Sequence, residues 1–153
     1  MESITVDENI TYIGKNIINK SVIIYGHAGT YIEKYANENG YIFLDLNTTV
    51  IEGQGWSFDT ENKKLYILEN KSTKEYDYLK NVICRVEVKK SVQEIFSYQF
   101  QEYEKLEEVL LPDSIISIGQ NAFRGCYNLK TINLPQNITK LESQTFYGCE
   151  SLK

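Results

Sequence analysis

One histidine and three cysteines in 153 residues leave little material for catalysis. His27, in the turn "YGHAG", has no second histidine with which to hold a metal or activate a nucleophile, and reads as a solvated loop residue. Cys84, Cys126 and Cys149 are too few and too irregular for a disulfide framework, and without more histidines they form neither a Cys–His nucleophile nor a zinc spacing. Basic charge is short as well. Sixteen Lys and Arg against 21 Asp and Glu give a net charge of -5 and a pI near 5.0, which argues against the clustered basic face of a nucleic-acid binder. The pairs Lys63-Lys64 and Lys89-Lys90 are solvated turns. No apolar run approaches the roughly 18 residues of a membrane span; "SVIIYG" and "YIFLDL" are strand-length. The start, "MESITVDENI", is acidic and carries no visible secretory signal.

What the chain does have is a period. Phe100, Phe123 and Phe146 lie 23 positions apart, as do Leu106, Leu129 and Leu152. Cys126 and Cys149 keep the interval, and so do Pro112 and Pro135. Val86, Val109 and Ile132 share it with Val88, Leu111 and Leu134, with Val92, Ile115 and Ile138, and with Ile95, Ile118 and Leu141. A fixed period of about 20–29 residues marks a solenoid of leucine-rich repeats. One such unit cannot bury its apolar side alone, so each stacks on a neighbour and the same slots stay apolar in every turn.

Three segments follow from this reading. Residues 1–46 hold a degenerate repeat and an array-closing cap. In the repeat, Ile4, Val6, Ile10, Ile13 and Ile18 take the slots of Ile132, Leu134, Ile138, Leu141 and Phe146. Asn9 falls where Ser91, Ser114 and Asn137 fall, a slot in which a short polar side chain bonds nearby backbone as the chain turns. The cap is strand, helix, strand: "SVIIYG", then "TYIEKYANENG" with Thr30 and Glu33 as a capping box, then "YIFLDL". Ile32, Tyr35 and Ala36 share one helical face, and Gly40 suits a left-handed C-terminal cap. Residues 47–82 form a connector in which "GWSFDTENKKLYIL" predicts a β-hairpin, followed by a loop with some helical tendency. Residues 83–153 are the regular repeats.

The section "LEEVLLPDSIISIGQNAFRGCYNLKTINLPQNITKLESQTFYGCESL" resembles the BspA-like class of bacterial leucine-rich repeats. Its marks are an Ile-x-Leu-Pro strand, an Ile/Leu slot, then Ala-Phe and Cys before the next Leu. The first repeat departs from the pattern with Lys89 in the Pro slot and Tyr103 in the Cys slot, and Thr145 stands in the Ala slot. "VIIYGHAGTYIEKYANENGYIFLDL" is similar to the segment that closes such an array, and "GWSFDTENKKLYIL" to one that opens a new array. The expected fold is a β-rich leucine-rich-repeat solenoid with one short helix in its N-terminal cap. The resemblance implies a piece of a longer bacterial cell-surface or secreted protein, truncated within its second array, whose repeats mediate attachment to host or neighbouring cells. An architectural spacer presenting another domain is the alternative.

The residues offer no enzyme. Glu102, Glu104, Glu107 and Glu108 fall on a turn and a strand with no cleft to hold a carboxylate pair. Gly53 and Gly55 lack the third glycine of a dinucleotide fingerprint, because Phe58 stands there. Cys126 and Cys149 share a slot, about one strand spacing apart, and read as small buried hydrophobes rather than a disulfide. No cofactor or metal site is expected. The candidate protein-binding residues are the outward columns of the concave strand wall: Arg85, Glu108 and Thr131, and Glu87, Leu110 and Asn133. Self-association through an uncapped last repeat, around Leu141, Phe146 and Leu152, is a further expectation.

Overall fold

The computed structural model describes residues 3–6, 8–10, 12–13, 22–71 and 74–153. These fall into two compact units, Met1–Thr49 and Val50–Lys153.

In the first unit, strands β1 (Ser3–Thr5), β2 (Ile23–Gly26) and β3 (Ile42–Asp45) form a parallel sheet in that order. Helix α1 (Tyr31–Asn39) makes the crossover between β2 and β3 and packs on both. Its core is Val6, Ile24, Ile32, Tyr35 and Ala36, so the helical face expected from the sequence is the buried one. Gly40 closes the helix in the left-handed region (φ 72°), its N–H donating to the carbonyls of Ala36 and Asn37. The capping box does not form. Thr30 is the N-cap, but its hydroxyl donates to the His27 carbonyl, and Glu33 accepts instead from the Gly29 N–H at 2.7 Å. Of the slots assigned to the degenerate repeat, Val6 is buried and Ile13 packs on the core, while Ile4 and Ile10 are exposed. The slot assigned to Ile18 lies outside the described residues.

The second unit is the solenoid. Strands β4 (Val50–Gly53), β5 (Trp56–Asp59) and β6 (Lys64–Ile67) form an antiparallel meander that contains the expected hairpin. A single 3-10 turn, Asp77–Leu79, follows. Then come β7 (Arg85–Val88), β8 (Glu94–Ile95), β9 (Glu108–Leu110), β10 (Ser117–Ile118) and β11 (Thr131–Ile132). The hairpin does not stand apart from the repeats. β6 pairs in parallel with β7, which pairs with β9 and then β11, in one six-stranded sheet. β8 and β10 make a second, two-stranded ladder.

The inside of each turn is filled by like on like. Leu65, Val86 and Val109 are in register and fully buried, as are Ile83, Leu106 and Leu129. An aromatic spine runs through the unit. The ring centroids of Phe100, Phe123 and Phe146 stack at 5.4 and 5.6 Å, Tyr76 continues the stack at 6.3 Å, and Trp56 meets Tyr76 edge-on at 5.7 Å. Burial thins at β11, where Leu134 and Leu141 are exposed although their equivalents Leu111 and Ile118 are buried.

Opposite the strands the chain turns without forming strand, yet the turns are still bonded to one another. The N–H groups of Tyr98, Phe100 and Glu102 donate to the carbonyls of Gln120, Ala122 and Arg124. Those of Asn121, Phe123 and Gly125 donate to Ser143, Thr145 and Tyr147, so the buried backbone is satisfied turn by turn. Two left-handed positions per repeat accompany this ladder: Tyr98, Asn121 and Gln144 in one column, Glu102, Gly125 and Gly148 in the other. The polar slot also bonds between turns rather than locally. Ser91 donates to the Leu68 carbonyl, Ser114 to Val92 at 2.7 Å, and Asn137 to Asp113 at 3.0 Å.

Candidate interaction face

Alternation along β7, β9 and β11 sends every second side chain out of the solenoid, and parallel register lines these up across strands. One row runs Lys64, Arg85, Glu108, Thr131; the next runs Tyr66, Glu87, Leu110. Arg85, Leu110, Thr131 and Asn133 are exposed, and Glu87 and Glu108 are half-buried. Five of the six residues expected from the sequence, Arg85, Glu87, Glu108, Leu110 and Thr131, therefore share one face; Asn133 lies beyond the end of β11.

They do not all remain available. Asn133 is used by the fold: its amide donates to the Leu111 carbonyl at 2.7 Å and accepts from the Leu111 N–H at 2.8 Å, acting as a further ladder step beyond β11. Glu87 is claimed from two sides, by Lys64 at 2.6 Å and by Lys89. The hydrogen bonds from Lys64 and Lys89 hold its carboxyl below the usual carboxylate range, and Glu87 in turn raises Lys64. Both ammonium groups also sit against the Tyr66 ring, at 5.0 and 4.7 Å from its centroid. Arg85 and Glu108 face each other at 3.7 Å. The apolar part of the face takes no share in these pairings. Leu110 is 41% exposed and borders an open groove of about 630 Å³ lined by Glu87, Val88, Lys89, Lys90, Leu111 and Pro112.

Lys64 and Tyr66 were missed because β6 precedes the regular repeats. It pairs with β7 at a 21-residue offset, Lys64 to Arg85, rather than 23. The alternation Trp56, Phe58, Leu65, Ile67 inward was the signal that could have extended the face to them.

The residues considered for chemistry are spent on structure. His27 is not an isolated solvated residue: it is half-buried and its Nδ1 lies 3.1 Å from the Asn47 amide. Cys126 and Cys149 are free thiols whose Sγ atoms donate to the carbonyls of Phe100 and Phe123, each at 3.1 Å. Burial pushes Cys126 up to about 12 and raises Cys149 as well. In the same slot Tyr103 reaches across and donates to Asp77 Oδ1 at 2.7 Å. Of the acidic cluster, Glu107 pairs with Lys130 at 2.9 Å, Glu108 with Arg85 and Glu102 with Lys80 at 3.9 Å, so these three carboxylates are each drawn to a different cation. Among the described residues no group of three or more His, Cys, Asp or Glu could hold a metal ion, and no helix is long and apolar enough to cross a membrane.

Residues 71–153 match the family model of the BspA-type leucine-rich repeat region. The chain belongs to the BspA-type leucine-rich repeat family. No curated protein matches it. Among solved structures, it is similar to a leucine-rich cell surface protein of Faecalibacterium prausnitzii, with 18% identity and a TM-score of 0.40. The match covers 97% of this chain and 40% of that one, so this chain spans well under half the length of that protein.

Proposed function

We propose that this chain is a non-enzymatic protein-interaction module of a bacterial cell-surface or secreted protein, docking a protein of a host or neighbouring cell through its outward strand face. The observation that carries the reading is Leu110: an exposed leucine at the end of an in-register outward row, beside an open groove and next to Glu87 and Glu108, which pair with Lys64, Lys89 and Arg85. An apolar patch with a polar rim is the anatomy of a protein interface. Membership of the repeat family supports the interaction role, and the surface location rests on that family resemblance alone. Repeat arrays offer extended surfaces for docking because each turn adds one strand to the same wall.

The test is binding of the labelled chain to whole cells, compared with Leu110→Asp and Tyr66→Ala variants of equal melting temperature. Loss of binding in Leu110→Asp supports the docking face. Undiminished binding in both variants moves the site elsewhere. The mutual pairing of Lys64, Glu87 and Lys89 favours a second reading, a spacer that presents another domain, because a face whose charges satisfy each other has little polar demand for a partner. No saturable cell binding by the wild-type chain would select it.

A further inference from the structure

The turn side of the solenoid carries a feature that the repeat does not require. Gly125 and Gly148 are stacked left-handed glycines on successive turns; a Cβ on Gly148 would lie 3.5 Å from the Gly125 backbone and 3.5 Å from the Tyr127 ring. With no side chains there, the two turns leave a notch of about 290 Å³ floored by backbone. Its walls are Tyr127 and Tyr147, 45% and 62% exposed, and its rim is Arg124, Glu102 and Glu150. The Arg124 guanidinium lies 5.6 Å from the centroid of the Tyr147 ring.

One turn earlier the same place is closed. Glu102 stands in the glycine column, its Cγ 3.5 Å from where a Cβ of Gly125 would be, and Glu104 and Arg124 occupy the positions of Tyr127 and Tyr147. The glycines answer to backbone conformation. The two exposed rings answer to nothing in the core.

We infer that this notch is a carbohydrate-binding subsite for a single neutral sugar ring. The size falls just below the roughly 300–1,000 Å³ of drug-sized ligand sites, as suits a single ring. Tyrosine rings are flat, apolar on the face and polar at the tip, which suits the C–H face of a pyranose and the hydroxyls at its edge. Carboxylates of Glu102 and Glu150 can accept from sugar hydroxyls, and the Arg124 fork can donate to them. Charge selects against ions: Arg124 and the Lys80 paired to Glu102 balance the two carboxylates, and a cationic side chain would have to displace Arg124 from Tyr147. The subsite lies in the turns, on residues distinct from the strand face, so it stands or falls separately from the protein-docking reading.

The experiment follows the tyrosine ring signals of the wild-type chain by NMR during titration with methyl glycosides of neutral hexoses and N-acetylhexosamines, to tens of millimolar. Saturable shifts are expected at Tyr127 and Tyr147 and not at Tyr66 or Tyr98. Tyr127→Ala and Tyr147→Ala should each weaken the affinity about tenfold without moving the melting temperature, and Tyr147→Phe should keep most of it. No saturable shift with any glycoside overturns the inference. So do sugar shifts that survive both alanine variants, and so does an equal or larger response to the cationic probe lysine methyl ester.

Discussion

Both units pack parallel strands, but against different things. In the first, β2 and β3 of a parallel sheet are covered by one helix, and its buried apolar residues, Ile32, Tyr35 and Ala36, follow helical spacing. In the second, each turn is covered by the next turn, so Phe meets Phe, Leu meets Leu and thiol follows thiol. The first unit has a core that is made once. In the second, a core side chain of an inner turn belongs to two interfaces, one above and one below, and stability is a sum of neighbour contacts.

That difference is tested most sharply at Phe123, which stacks on both Phe100 and Phe146. Phe123→Ala should cost about 3–5 kcal/mol, and hydrogen exchange should lose protection in the turns on either side, at Phe100 and at Phe146. Ile32→Ala in the first unit should cost about 2–5 kcal/mol, with protection lost in α1 and β2. Protection lost only within the turn of Phe123 itself would break the picture of shared interfaces.

The thiol ladder gives the next effect, through pH. Burial holds Cys126 protonated up to about 12 in the folded chain, against an ordinary value of 9.0. Below about 9 the thiol is protonated in both states, and its contribution to stability is complete. Between about 9 and about 12 the unfolded chain releases the proton and the folded chain keeps it, so stability falls as pH rises. Tyr76, raised by burial from 10.0 to about 12, adds to the same fall. Urea denaturation across this window should show the decline, and Cys126→Ala should make it shallower, leaving the part due to Tyr76. A native thiol reagent should label Cys126 more slowly than Cys149, and equal fast labelling of both would contradict the burial.

The period made the inward columns legible, because a slot that is apolar at 86, 109 and 132 has to face the same interior. The helical face and Gly40 were legible for the same reason, each being a local rule with one geometry. Other features were hidden by substitutions. The 21-residue offset concealed that β6 extends the sheet, and Tyr76 joins the aromatic spine from 24 positions before Phe100. Glu102 broke the glycine column that would have announced the left-handed turns. Asn133 looked like an outward strand residue, and only its bonds to Leu111 reveal a ladder step. Thr30 and Glu33 matched a capping box by spacing, but nearby Gly29 and His27 offered their side chains better partners.

The glycine column yields a smaller effect of opposite signs. Gly125 sits at φ 74°, so Gly125→Ala should cost about 1–2 kcal/mol. Glu102 holds φ 61° in the same column, and Glu102→Gly should gain up to about 1 kcal/mol. Its exposed pairing with Lys80 is a weak counterweight. Denaturant midpoints of the two variants check both signs. Equal costs in the two would mean that the column is not conformationally equivalent.

The smallest effects on folding belong to the outward face, where the largest effects on recognition should lie. Arg85 and Glu108 pair at 3.7 Å with side chains about half exposed, 53% and 42%. Arg85→Glu or Glu108→Lys should therefore shift stability by within about 0.5 kcal/mol. Reversing both restores the ion pair with its polarity swapped, so the double variant should fold as stably as the wild type. Recognition separates the two roles. If the pair only props the sheet, the double variant binds cells like the wild type. If these side chains meet the partner, both single variants lose binding and the double variant does not recover it, since the partner still faces the wrong charge at each position. Full recovery of binding by the double variant would remove Arg85 and Glu108 from the contact surface and leave the docking reading to Leu110 and Tyr66 alone.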